Sequence, residues 1–154
     1  MVDALLSPAE LAFLVAARRA FLATVDAKGR ARALPVCFVV DDHVGGLQLL
    51  IPLDDKPKSI DDKHGLARVR DIERQPEVSL LVEHWDEDWS KLVWLRLNGH
   101  ATLLEPDEVS QVYPEVVERL RAKYPQYATH DLESSPMISI DVERVISWGN
   151  LDPS

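Results

Sequence analysis

The sequence predicts a mainly β fold: an antiparallel barrel of six or seven strands, with three helices inserted at the beginning, middle and late part of the chain. Three observations predict it. Apolar runs of strand length recur, namely FLATV, ALPVCFVV, LQLLIPL, VSLLV, LVWLRL and MISIDV, and short turn-forming clusters join most of them. Regular strand–helix–strand alternation is missing, which disfavours a doubly wound parallel sheet. At 154 residues, with 46% apolar and 28% charged side chains, the chain suits one hydrophobic core, so a single domain over 1–154 is expected.

In chain order, Ser7, Pro8 and Glu10 form a helix start: a hydroxyl for an orphan amide, proline at the first helical position and a glutamate three residues after the serine. Leu11, Leu14, Val15 and Arg18 then give an apolar stripe with a charged edge. FLATV and ARALPVCFVV read as two strands about the turn DAKGR, with Gly29 supplying a positive φ. Asp41, Asp42, Gly45 and Gly46 mark the next turn before the buried strand LQLLIPL. From about Ile60 to Arg74 a charged helix is expected, weakened at Gly65 and stopped by Pro76. Val78–Val82 is a strand, HWDEDW its end and a loop, and Leu92–Leu104 a long strand bent at Gly99. Val109, Val112, Tyr113, Val116, Val117 and Leu120 fall on one face of a single helix over Asp107–Tyr124, which Pro125 ends. MISIDVERVISW closes the chain as a strand.

The net charge of −9 argues against nucleic acid or an anionic membrane as partner. The charge is uneven: Lys56 to Arg74 carries +2 and the remainder −11. In that segment the loop DDKPKS follows an apolar strand and precedes a helix, so helix-start amides, two ammonium groups and a hydroxyl can converge on one phosphate. The single cysteine, Cys37, cannot form an internal disulfide, and its apolar run makes it a packing residue. The five histidines lack zinc-site spacing, and the Asp86–Asp88 acidic cluster lacks the pattern of a calcium loop. No GxSxG, GxGxxG or Walker-type loop occurs. Trp85, Trp89, Trp94 and Trp148 read first as packing residues. No apolar run is long enough to cross a bilayer and the amino terminus does not read as a secretion signal, so a cytoplasmic location is expected.

The order FLATVDAKGRARALPVCFVV, LQLLIPLDDKPKS, VRDIERQPEVSLLV and HWDEDWSKLVWLR resembles the pyridoxamine 5′-phosphate oxidase-like split-barrel superfamily. More narrowly it resembles the F-420-dependent class B flavin/deazaflavin oxidoreductases. The likeness runs from about Leu11 to Trp148. It implies a six-stranded antiparallel split β-barrel of the FMN-binding type, a homodimer, and cofactors in grooves between subunits. By the same resemblance Lys56 and Lys58 bind the cofactor phosphate and Ser59 assists, although arginine is frequent at the Ser59 position. Arg68 and Arg70 reach toward the anionic tail, backbone groups of Leu34, Pro35 and Val36 and of Ile51, Pro52 and Leu53 line the ring, and Trp148 sits near the groove, from the partner subunit. The carboxy-terminal VISWGNLDPS has no arginine after Arg144, which disfavours pyridoxamine phosphate as substrate.

No protein acid, base or metal site is expected, because hydride transfer is performed by the cofactor and the protein holds, orients and excludes water. The first reading is an oxidoreductase passing hydride from F-420 to a planar, conjugated small-molecule acceptor. The second is an FMN-binding oxidoreductase, and the third a carrier that binds the ring without turnover. F-420 and FMN both present a tricyclic ring and a ribityl phosphate, so the loop does not separate them.

Overall fold

The computed structural model describes residues 4–43, 46–53, 65–149 and 151. Helix α1, Pro8–Ala16, starts as its sequence dictates: the Ser7 hydroxyl accepts from the Glu10 amide and the Glu10 carboxylate accepts from the Ser7 amide. This reciprocal cap stabilises the helix by about 1 kcal/mol. Leu14 is buried and Leu11 packs at the core edge, while Val15 of the expected stripe is half exposed.

Strands β1, Ala20–Val25, and β2, Ala31–Val36, form the expected hairpin. Gly29 takes φ +77° in its turn, a conformation that strains any residue with a Cβ. β3, Val39–His43, pairs with β4, Gly46–Pro52. Helix α2, Ala67–Arg74, precedes β5, Glu77–His84, and β6, Val93–Leu104. Helices α3, Pro106–Val112, and α4, Val116–Lys123, lead to β7, Met137–Gly149. Single 3₁₀ turns occupy Trp89–Lys91 and Pro125–Thr129.

Among the described residues the strands form one antiparallel sheet of seven, ordered β2-β1-β5-β6-β7-β4-β3. Two expectations are corrected here. The six-strand count becomes seven because ARALPVCFVV, one apolar run, is cut at Cys37 and Phe38 and its halves take different partners: Val36 faces Ala20 of β1, and Val39 faces Leu50 of β4. The ladder does not close, yet its two ends, β2 and β3, are joined by those two residues. A link so short spans about 10 Å at most, so the sheet must curl until its edges nearly meet. The single helix expected over Asp107–Tyr124 is two, because Pro114 has no amide to donate and its ring clashes with the preceding turn. The Val112 side chain is thereby left 60% exposed.

β6 and β7 slip register at Asn98/Gly99, leaving Glu143 as an extra residue between Val142 and Arg144. Gly99 is required at this bulge: a Cβ there would lie 2.3 Å from the Asp141 carbonyl oxygen.

The interior of the curled sheet is filled by Leu22, Phe38, Leu49, Ile51, Leu80, Leu95, Leu97 and Ile140, sealed by α1 and α2 through Leu14, Val69 and Ile72. A second apolar cluster lies outside β3, β4 and the start of β7. There Val39, Leu50 and Met137 pack against Val116, Leu120, Tyr124 and Tyr127. Burial on both faces explains why LQLLIPL is nearly all apolar instead of alternating. Among the described residues no helix is long and apolar enough to cross a membrane.

Candidate functional site

The expected phosphate residues Lys56, Lys58 and Ser59 lie outside the described residues. The strand end that leads into them is described. Val39 pairs with Leu50, Val36 lies three residues before Val39, and Ile51, Pro52 and Leu53 follow Leu50. Val36 therefore lies within about 15 Å of Leu50, near the end of β4. Val36, Ile51 and Leu53 share the interior cluster, with Leu34 at its edge. Their side chains are committed to packing. β2 has a neighbour on one side only among the described residues, which leaves alternate amides and carbonyls of the strand facing away from β1. Pro35, exposed on that strand, offers no amide.

On the inward face of β2, two residues before Leu34, stands an arginine that sequence reasoning passed over. Arg32 donates its Nε to Asp71 of α2 at 2.8 Å, and the Thr24 hydroxyl donates to the same carboxylate oxygen at 2.7 Å. Asp71 and Thr24 are both buried, whereas the Arg32 side chain is 43% exposed. A buried carboxylate is stable only when paired and hydrogen-bonded, and both partners are supplied. The carboxylate fixes one edge of the guanidinium, and its terminal nitrogens have no protein acceptor among the described residues. A planar fork held in this way is suited to a phosphate or carboxylate.

The expected basic residues on α2 separate. Arg68 is one helical turn before Asp71 and so lies toward the Arg32 side, partly buried. Arg70 is exposed beside Glu73 and Arg74. Trp148 lies on β7, which pairs with β6 and β4 and not with β2. Along β7 it is eleven residues beyond Met137, the partner of Pro52, or about 35 Å of strand. Within one chain Trp148 faces Trp94 instead.

The outer face of the same sheet holds an open depression of about 560 Å³ lined by Phe21, Ala23, Ala33, Leu81, Trp94 and Arg96. The Arg96 guanidinium lies 5.9 Å from the centre of the Trp94 ring. Trp148 and Leu81, half and one-third exposed, extend this apolar surface.

Across the connection from β2, the corner at Phe38 is closed by the chain itself. The Tyr124 hydroxyl accepts from the Phe38 amide at 3.1 Å and lies within hydrogen-bond distance of the carbonyls of Phe38 and Arg18. Lys123 Nζ donates to the Phe38 carbonyl at 3.0 Å and sits 4.0 Å from the centre of the Phe38 ring. Burial, with the positive charge of Arg18 added, lowers the Lys123 pKa to about 8.

The sequence profile described as pyridoxamine 5′-phosphate oxidase matches residues 6–149. The chain belongs to this family. The pyridoxamine 5′-phosphate oxidase family is one of flavin-binding oxidoreductases. No curated protein matches the sequence. Among solved structures, a conserved hypothetical protein of Mycobacterium tuberculosis is 22% identical with a TM-score of 0.68, over 97% of this chain and 88% of that one. An F420 reductase is 19% identical with a TM-score of 0.61, over 88% and 94%. A heme storage protein, HutZ of Vibrio cholerae, is 20% identical with a TM-score of 0.64, over 92% and 93%. At these identities the likenesses establish the fold, and that fold serves proteins of differing function.

Proposed function

We propose that this protein is an oxidoreductase that binds the deazaflavin F-420 and presents its ring to a planar, conjugated small-molecule acceptor. The observation that carries the reading is the Arg32–Asp71–Thr24 cluster beside an uncovered strand edge, on the strand whose far end, at Val36, approaches the end of β4. Arg32 supports the anionic side chain of the cofactor together with Lys56, Lys58 and Ser59, and Arg68 approaches from α2. The backbone of Leu34–Val36 and Ile51–Leu53 borders the ring. When bound, the cofactor supplies a hydride donor or acceptor at its ring, and the protein orients the ring and keeps water from it. A second copy seated on the apolar outer face brings Trp148 toward the groove, which makes the working unit a homodimer. The family match itself favours a second reading, in which the ring is that of FMN.

Titration of the purified protein with F-420 and with FMN decides between them. Tight F-420 binding, with Lys56→Ala weakening it by about 1.5–3 kcal/mol, supports the first reading. Tight FMN binding with no affinity for F-420 transfers the reading to FMN. Failure to bind either overturns both, and tight binding with no acceptor reduced assigns the protein to the carriers.

A further inference from the structure

Away from the β2 edge, three ligating side chains of a different character meet at the β6–β7 bulge. Glu77 of β5 and His100 of β6 are register partners, and the Glu77 carboxylate lies 3.7 Å from His100 Nδ1. The register partner of His100 on β7 is Asp141, whose carboxylate accepts from Gln48 at 2.9 Å. The bulge brings another carboxylate instead. Glu143, the unpaired extra residue of β7, stands on the exposed side with Glu77 and His100, and one donor atom from each of the three lies within 4.8 Å of the others. Bulges re-aim side chains in this way, and three hydrogen-bonded strands hold the donors on a rigid frame.

We propose that Glu77, His100 and Glu143 form a site for a divalent transition-metal ion of the zinc class. The donor set decides the class. One imidazole nitrogen with two carboxylates suits zinc, whereas calcium and magnesium take oxygen-only shells. Zinc sits about 2.0–2.2 Å from such donors, so the donors must approach to about 3–4 Å of one another. Rotation of the two exposed glutamates supplies that closure. The bound ion links β5, β6 and β7 at the point where the ladder is interrupted, and three protein ligands leave its remaining positions to water.

The test is calorimetric titration of chelator-treated full-length protein with zinc chloride, beside parallel titrations with calcium and magnesium. One zinc per chain is expected, with His100→Ala and Glu143→Gln each weakening it at least ten-fold. His84→Ala, which removes a histidine paired with Asp86 elsewhere, leaves it unchanged. Zinc also raises the thermal midpoint of the unaltered protein by several degrees, and of His100→Ala not at all. All three substitutions are at exposed side chains, and circular dichroism confirms their folding. Absence of saturable zinc binding up to about 100 µM overturns the proposal. So does zinc binding that survives His100→Ala, or calcium binding of equal strength.

Discussion

β2 and β3 are two halves of one apolar sequence run, and the molecule treats them oppositely. β3 begins with two buried valines, Val39 packed under α4 and Val40 in the interior, and its corner at Phe38 is closed by Tyr124 and Lys123 of the same chain. β2 remains largely exposed along its length and, among the described residues, is paired on one side only. Among the described residues its one side-chain ion pair is that of Arg32, held from beneath by Asp71. Where the chain covers its own backbone, polar groups serve stability. Where it leaves an edge open yet invests a buried carboxylate to aim an arginine there, the arrangement is suited to something outside the chain.

Substitutions on the two halves should therefore separate stability from binding. The largest effect is expected at the tether. Asp71→Ala deprives a buried hydroxyl of its acceptor and releases Arg32, and a loss of about 3 kcal/mol in urea denaturation is expected. A loss under about 1 kcal/mol would show that α2 is held by Val69 and Ile72 alone and that the carboxylate does not organise this end.

On the covered half, Tyr124→Phe strands the buried Phe38 amide, at a cost of about 2 kcal/mol. Cofactor affinity should not change, as measured by the same titration used for the unaltered protein. A parallel loss of affinity would erase the distinction between the halves.

Much of this contrast was hidden in the sequence for a physical reason. Local signals were legible: the Ser7–Glu10 cap, the Gly29 turn, the bend at Gly99 and the closing strand all follow from neighbours in the chain. The cut at Cys37–Phe38 was not legible, because both halves are apolar and only the choice of pairing partner divides them. The 3.6-residue spacing of Val109 to Leu120 hides the break at Pro114, which turns Val112 out to solvent while Val109, Val116 and Leu120 stay buried. The Thr24–Arg32–Asp71 cluster joins positions 47 and 39 residues apart, and Asp71 reads locally as one more charge on a charged helix. Of the site expected by resemblance, the convergence of Leu34–Val36 with Ile51–Leu53 rests on described residues, whereas its phosphate loop does not.

A smaller effect sharpens the open half. Arg32→Lys keeps a positive charge for Asp71, so stability should stay within about 1 kcal/mol. An ammonium has no fork with which to hold Asp71 on one edge and an anion on the other, and the cofactor dissociation constant should rise about ten-fold. An unchanged constant would remove Arg32 from the site and leave the anion to the Lys56–Ser59 segment.

The smallest effect concerns Lys123 and returns to the covered corner. Its folded-state pKa of about 8 lies below the usual 10.5 of a free lysine. Between these values the unfolded chain binds more protons than the folded one, so stability must rise with pH across that window. Tyr124 acts in the opposite sense, because burial raises its pKa above 10.0, but only above pH 10. Comparing the unaltered protein with Lys123→Met from pH 7 to 10 cancels the remaining titrations. The difference should grow in favour of lysine by less than about 1 kcal/mol, since the side chain is partly solvated. A difference that falls instead would mean that the ammonium's bond to the Phe38 carbonyl and its place over the Phe38 ring outweigh burial. The covered corner would then be held by charge, as the open edge is, and the two halves would differ only in what lies above them.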